Sequence, residues 1–489
     1  MEQLTRRSLL AASAALPVAA RPQASPDQNH QARLNLIHIG VDTWGAHHTG
    51  YYGHPDYRTP HVDRLLAQSA VFWEAYPQAL PTIPARRVIY TARQVFPSEK
   101  IYQPDDQVKI RGWHQMFAED VTLSETLQQA GYTTAIVSDL YHQFKPGKNF
   151  TRGFDSWQWI RGQESDRYRT GGRKRIDLSQ WMHPSQPATK TAKPAGVFQY
   201  LLNRQDWKSE KDWLAAQVFE MAGAWLAENT GENQPFYLHI ESFSPHEFWD
   251  PPEDYYRAYM KKDYRGPRLI HPPAITKQMS AIEVAHARAL YAGLVSFTDA
   301  CIGRFLEKVS QLGLLQNTVI VFAADHGTMM GEQGQLHKGE TRLRDQVTHV
   351  PIGIRHPKEH WAGRKIAGYA QHTDLMPTML ELLGQKAGPR VTGRSLVKAI
   401  STNERIPGDS VITGWGEHAA VRTPEWSYIG RWSPGPAFEE LYDLRRDPLE
   451  LNNMAGENPK VTSEFRAKLK SYVDKGWETT RGSFAVHAS

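Results

Sequence analysis

The sequence is poor in the features that usually place a protein at a glance. Among 489 residues there is a single cysteine, Cys301, so no intrachain disulfide can form and the redox compartment is not written in the cysteines. Beyond the first 20 residues no run reaches the ~18 consecutive apolar residues that a bilayer-spanning helix needs, which argues against an integral membrane segment. Long runs of lysine and arginine are missing too. The 57 basic and 52 acidic residues give a formal charge of +5 that is dispersed along the chain, which argues against nucleic acid as a partner and suits an anionic small substrate. No internal repeat is present. With 40% hydrophobic and 22% charged residues the composition is that of an ordinary globular protein, and disordered or collagen-like chains are excluded. At ~150 residues per domain the length suits about three domains, or one large α/β domain with an appendage.

What is present begins at the N-terminus. Thr5-Arg6-Arg7-Ser8-Leu9-Leu10 leads into an alanine-rich apolar stretch that ends at Ala20, with Val18 and Ala20 at the −3 and −1 positions of a cleavage point. Charged, then apolar, then small is the order of a signal peptide, and the Arg6-Arg7 pair is that of twin-arginine export. Residues 1–32 are therefore expected to be leader and linker of a protein sent to the periplasm or the cell exterior. Apolar runs at Asn35–Val41, Thr134–Ser138, Phe236–Phe243, Thr318–Ala324 and Pro351–Arg355 predict buried strands. Between them lie helical patterns: one opened by Thr59-Pro60-His61 with Val62, Leu65 and Leu66, then Leu123–Ala130, Trp213–Leu226, Ile282–Leu312 and Leu375–Leu383. Strands alternating with helices predict an α/β fold, a mostly parallel sheet covered on both faces. Arg161–Lys211 breaks the rhythm as a polar, basic excursion, expected over the active-site face. It carries Arg167, Arg169, Arg173, Lys174 and Arg175, which would meet an acidic substrate or form a solvated face. Trp157, Trp159, Trp181 and Trp249 are candidates to stack on a sugar ring or to belong to the core. After about Gly388 the pattern changes again, and Glu440–Asn453 suggests a strand, a turn and a final helix.

In an open parallel sheet, ligands gather at the carboxyl ends of the strands. Asp42 ends the apolar run at Val41, and Asp325-His326-Gly327 ends the run at Ala324. A carboxylate there is costly to bury unless a cation or hydrogen-bond donors compensate it. Two aspartates and an imidazole suit a divalent metal, although each aspartate would also serve as a helix cap. In Leu80-Pro81-Thr82-Ile83-Pro84-Ala85-Arg86, helix signals follow Pro84. Thr82 then lies at a helix N-terminus, whose free N–H groups suit a tetrahedral oxyanion. By itself Thr82 reads as a cap or as a nucleophile, with Arg86 one turn further on.

Taken together these segments resemble the sulfatase family of the alkaline phosphatase superfamily. The order carries the likeness: Asp42, Thr59-Pro60-His61-Val62-Asp63-Arg64-Leu65, Val71-Phe72, Thr82 to Arg86, Asp325-His326-Gly327, Gly331-Glu332, Lys338, Val350-Pro351, Asp374 to Thr378, Leu441 to Leu444 and Asp447-Pro448. The resemblance implies an alkaline-phosphatase-like α/β domain over residues 33–388, a small C-terminal α+β subdomain over 389–489, and a metal-dependent hydrolase of sulfate or phosphate esters. Position by position it implies that Asp42, Asp325 and His326 are metal ligands and that Thr82 stands at the nucleophile position, near the metal. It further implies that Arg86 supports Thr82, that Lys338 contacts the transferred group, and that His246, in Ser-Pro-His-Glu, sits near the leaving group.

The departures from the family are as informative. Sulfatases carry cysteine or serine at the nucleophile position and oxidise it to formylglycine. Threonine carries a β-methyl, and the familiar route does not make that aldehyde from it. Cys301 lies in a predicted helix without the motif's proline. Thr82 would then have to act as an alkoxide, as in the phosphodiesterase branch of the superfamily, which favours phosphate diesters or phosphonates, with sulfate esters as the alternative. Thr43 stands where the family has a further aspartate, and His326 where asparagine is usual. Calcium by family habit therefore gives ground to manganese, zinc or iron. The family's Lys-Trp-His segment is missing, and Asp139 or His142 would occupy that wall, with His142 a second candidate proton donor. Asp139, His142 or His372 would alternatively hold a second metal, with His372 otherwise behind the site and His47 and His48 at the surface or facing substrate. The substrate would be an anionic small molecule, or a glycan or lipid ester. A group transferase and a silent binding protein are the competing readings.

Overall fold

Asn35–Val41 (β1) has all seven residues buried, as a strand flanked by neighbours and covered on both faces requires. The computed structural model describes residues 33–100, 108–145, 147–171, 176–186, 192–231, 234–260 and 263–481. The leader reading and the basic residues Arg173, Lys174 and Arg175 lie outside the described residues. Strands β2 (Ala70–Tyr76), β3 (Ala79–Leu80), β4 (Thr133–Ser138), β5 (Ser156–Trp159), β6 (Phe236–Ser242) and β7 (Thr318–Ala324) follow β1. Then come β8 (Met329–Met330), β9 (Leu336–His337), β10 (Ile352–Arg355) and β11 (Lys365–Gln371). The last four are β12 (Val411–Trp415), β13 (His418–Arg422), β14 (Trp426–Arg431) and β15 (Glu439–Asp443).

The large sheet has the order β11-β2-β10-β7-β1-β6-β4-β5. Strands β7, β1, β6, β4 and β5 are mutually parallel, as expected. The departure is β10, antiparallel to both β7 and β2. After β7 the chain crosses the carboxyl edge of the sheet for some 27 residues and re-enters from that same edge, so β10 has to run the other way. The register sets Val41 beside both Ser242 and Ala324, which brings the ends of β1, β6 and β7 to one line.

The helices are α1 (Pro60–Ala67), α2 (Thr82–Thr91), α3 (Leu123–Gln129), α4 (Tyr141–Phe144), α5 (Ala192–Asn203), α6 (Leu214–Asn229) and α7 (Glu253–Arg257). They continue with α8 (Ala281–Gln311), α9 (Asp345–Thr348), α10 (Leu375–Leu382), α11 (Val397–Thr402) and α12 (Pro459–Thr480). Helix α8 starts with a capping box, Ser280 with Glu283. It is the one described helix long and apolar enough to cross a membrane, and 78% of its most apolar window is buried inside the protein.

A second sheet, β15-β14-β13-β12-β3, packs on α12. Its edge strand β3 comes from the N-terminal half and pairs with Gly414 and Trp415. Helix α2 follows β3 directly, and every one of its residues is buried. Ile83, Ile89 and Tyr90 join the main core, while Val88 joins the core under α12. The change of pattern near Gly388 is not a change of packing partner, because Leu396, Ile400 and Ile406 still belong to the main core. From Leu34 on, the chain is one compact unit.

Removing the Ile39 side chain from the centre of β1, where it is fully buried, is expected to lower the unfolding free energy by about 2–5 kcal/mol in Ile39→Ala. Urea denaturation measures it, and a loss below about 1 kcal/mol would contradict the placement of the core.

Candidate active site

Four acidic residues stand at or near the carboxyl ends of parallel strands: Asp42 after β1, Asp325 after β7, Asp139 after β4, and Glu241 one residue before the end of β6. Arg86, on the second turn of α2 and almost wholly buried, reaches three of them. Its Nη1 lies 3.0 Å from Asp42 Oδ2 and in close contact with Asp325 Oδ2, and its Nη2 lies 2.6 Å from Glu241 Oε1. His239 Nε2 holds the other Glu241 oxygen at 3.2 Å. Thr43 ties the two aspartates together: its N–H donates to Asp325 Oδ1 at 2.9 Å and its hydroxyl to Asp42 Oδ1 at 2.6 Å. It does so at φ 62°, a left-handed conformation that costs a β-branched residue on the order of 1–3 kcal/mol and persists where the surroundings impose it. Gly327 lies backbone to backbone against Gln346 and Gly45, where a Cβ would collide.

The arrangement suits a cation beyond the one already there. One guanidinium faces three carboxylates, so with all three ionised two negative charges are left uncancelled. His326 donates from Nδ1 to the Gly327 carbonyl at 2.9 Å, which leaves the Nε2 lone pair 3.4 Å from Asp325 and without a hydrogen-bond partner. Asp42 Oδ2 is likewise without an aligned donor. One donor atom from each of Asp42, Asp325 and His326 lies within 4.8 Å of the others. Burial pushes the His326 pKa down to about 3, which keeps the imidazole in the neutral form a metal requires. Burial opposes ionisation of both aspartates. At Asp42 the guanidinium of Arg86, then His246, His326 and Lys338, overcome it and hold the pKa below the ordinary range. At Asp325 burial wins over Arg86, and the charges of Asp42 and Glu241 add to it, so its pKa lies well above the usual carboxylate value. Two carboxylates and an imidazole accept manganese, zinc or iron as readily as calcium.

Thr82 is the first residue of α2 and is buried, and its carbonyl oxygen lies 3.4 Å from the same Arg86 Nη1. The guanidinium that the resemblance assigned to supporting the nucleophile is thus spent chiefly on the carboxylates. Lys338 follows β9 and pairs with Glu247 at 2.6 Å. Glu247 also takes His337 Nδ1 at 2.7 Å, and the His246 ring donates to the Glu247 carbonyl at 2.7 Å. His142, on α4, faces Glu164 at 3.2 Å, and burial lowers its pKa. Burial opposes ionisation of Glu164, but the His142 hydrogen bond and the nearby His246 and Lys338 hold its pKa below the ordinary value. The excursion after Arg161 supplies Glu164, and also Gln163, which donates to Asp139 at 3.0 Å.

Several expectations are corrected. Asp139 accepts from Phe243 N at 2.7 Å and so anchors the strand leading to His246, rather than offering itself to a second metal. His372 donates to the Ala324 carbonyl at 2.9 Å from behind the site, and neither it nor His142 converges with Asp139 on a common point among the described residues. His48 is not at the surface: it is buried against Tyr57 and Tyr291. Trp249 is core, stacked on His337 at 4.7 Å, while Trp157 stays exposed. Arg169 pairs with Asp206. Cys301 lies inside α8, where burial pushes its pKa up to about 12. Glu241, Glu247, His239, His337 and Glu164 were not read from sequence. Glu241 alone had a readable sign, a lone acid in the apolar run Phe-Tyr-Leu-His-Ile-Glu-Ser.

An α/β sheet with a metal-ready acidic cluster at its carboxyl edge, and a helix start whose Arg86 reaches into that cluster, defines the class: an alkaline-phosphatase-like hydrolase. The sulfatase family model matches residues 34–385, and a model described as N-sulphoglucosamine sulphohydrolase, C-terminal, matches residues 331–476. The chain belongs to the sulfatase family. An arylsulfatase K of Bos taurus is 29% identical over 246 residues, 46% of this chain and 42% of that protein, so the likeness spans less than half of the relative. A sulfatase of Formosa agariphila is 27% identical over 479 residues, 92% of this chain and 88% of that one. Two solved structures share the fold at a TM-score of 0.68 with 91% of this chain covered. One is BT4656 in complex with D-glucosamine-2-N,6-O-disulfate (19% identity, 98% of that chain), the other the phosphonate monoester hydrolase of Agrobacterium radiobacter (20%, 96%).

Chelator-stripped protein is expected to gain stability when manganese or calcium is added, by about 2.7 kcal/mol at an ion concentration 100 times Kd, and Asp42→Asn is expected to lose most of that gain. Thermal unfolding with and without EDTA measures it. A wild-type melting temperature indifferent to every divalent ion would contradict the metal reading of the cluster.

Proposed function

We propose that this sulfatase-family hydrolase cleaves phosphate diesters or phosphonate esters with Thr82 as its nucleophile. One observation carries the reading: the residue that opens α2, one turn before the Arg86–Asp42–Asp325 cluster, is a threonine. Sulfatases and a phosphonate monoester hydrolase share this fold, so the fold is neutral between them and residue 82 tips the balance.

A divalent ion held by Asp42, Asp325 and His326 would supply the positive charge that lowers the pKa of a neighbouring hydroxyl and neutralises the ester's anionic oxygens. The remaining work falls to the chain itself. Thr82 Oγ1, attacking as the alkoxide after its proton has left to solvent, forms a bond to phosphorus in line as the bond to the leaving oxygen breaks, and the N-terminus of α2 favours the anionic oxygens. Lys338, kept in place by Glu247, balances charge on the equatorial oxygens. The Glu247 carbonyl engages Nδ1 of His246, so in the imidazolium form Nε2 is the nitrogen that hands a proton to the leaving oxygen; His142 is the second candidate for that proton. Water then releases the group from Thr82 with the same imidazole receiving the proton. The twin-arginine pattern of the N-terminus supports export, and the substrate would be an anionic small molecule or a glycan or lipid ester. A second reading, hydrolysis of sulfate esters, is favoured by the sulfatases of Bos taurus and Formosa agariphila that the chain resembles.

A panel of aryl phosphate, bis-aryl phosphate, aryl phosphonate and aryl sulfate esters separates the two. The expected result is highest kcat/KM on the diester or phosphonate, a fall of at least about a thousandfold in Thr82→Ala, and retention within about tenfold in Thr82→Ser. Undiminished turnover in Thr82→Ala removes Thr82 from the mechanism, and a clear preference for aryl sulfate decides for the second reading.

A further inference from the structure

A second set of metal-type donors lies on the same edge of the sheet, outside the centre described above. The loop after β1 carries His47, and the short helix α9 carries Asp345 at its start and His349 just past its end, four residues apart and so on one side. The Ala46 N–H donates to the His349 carbonyl at 2.9 Å and fastens the two loops together. His47 Nε2 stands 2.7 Å from Asp345 Oδ2, His349 Nδ1 stands 3.4 Å from the same oxygen, and one donor atom of each residue lies within 4.8 Å of the others. Donors bound to one ion at ~2.0–2.1 Å in a tetrahedral shell are about 3.3 Å apart, so these spacings need only small adjustments.

Groups outside the trio orient it. His349 donates from Nε2 to the Trp73 carbonyl at 2.8 Å, and its ring stacks on Tyr76. A neutral His349 therefore turns the Nδ1 lone pair toward a carboxylate oxygen, a repulsive contact that a shared cation makes attractive. Asp345 has its two oxygens divided. Oδ1 accepts from the Tyr76 hydroxyl at 3.1 Å and faces Arg422 at 3.1 Å, which leaves Oδ2 to the imidazoles. Arg422 does not bar a cation, because Glu450 answers its charge at 2.9 Å and the Asp345–Arg422–Glu450 group keeps one negative charge. The three side chains are 26%, 13% and 15% exposed, enough for an ion to enter and for water to complete its shell.

We propose that His47, Asp345 and His349 form a second metal site, independent of Asp42, Asp325 and His326, for a borderline divalent ion such as zinc. Two imidazoles and one carboxylate are the donor class of zinc and its transition-metal neighbours, in contrast to the oxygen-richer centre at the ends of β1 and β7.

Equilibrium dialysis of the stripped full-length protein against zinc, counted by mass spectrometry, tests the assignment. The expected result is that His47→Gln and His349→Gln each bind one equivalent fewer than wild type, while Asp325→Asn keeps the equivalent that those two lose. Equal zinc content in wild type and both histidine variants overturns the proposal and leaves a proton in the ion's place. Should the variants fail to fold, wild-type crystals grown with zinc decide it: anomalous scattering at the zinc edge is expected between His47 and His349, and its absence there overturns the site.

Discussion

The structure turns on a single buried cation, the guanidinium of Arg86, set among Asp42, Asp325 and Glu241. None of these charges reaches water, and removing one partner from such a group typically costs 3–5 kcal/mol because the others are left uncompensated. The three strand ends, the first turns of α2 and the backbone of Thr43 must therefore be in place together. The strained φ of Thr43 and the glycine at 327 are local consequences of the same demand: two carboxylates are brought closer than they would go unaided.

The second organising element is Glu247. It receives Lys338 and His337 on its carboxylate and engages His246 through its backbone carbonyl, so one residue sets the positions of all three. Glu164 and Gln163 pair with His142 and Asp139, which ties the polar stretch after Arg161 to α4 and the end of β4.

Much of this could be read from residues alone, for a definite reason. Asp42 and Asp325 each end a largely apolar run, and that signal depends only on neighbours in sequence. Thr82 and Arg86 follow a proline-marked helix start. The parallel strands of the sheet centre were legible for the same cause. What escaped depends on pairing. Glu241 sits inside its strand and becomes a partner of Arg86 only once Gly40 is set beside it by register. The burial of His48 needs Tyr291, more than 240 residues away on α8. The reversal of β10 follows from where the chain re-enters the sheet, which local composition does not encode. The final helix starts only at Pro459, because the segment after β15 spends its residues on turns that bind Asp443 and Asp447 to the backbone.

One pairing has a wider meaning. The two residues of β3 are stitched to β12, and Trp415 at the end of β12 lies over the ring of His326. Thr82 starts two residues after that stitch. The tail of the chain is thus the anvil against which Thr82 is seated, and a version of this protein ending before residue 411 would forfeit that footing while Asp42, Asp325 and Glu241 remained in the polypeptide.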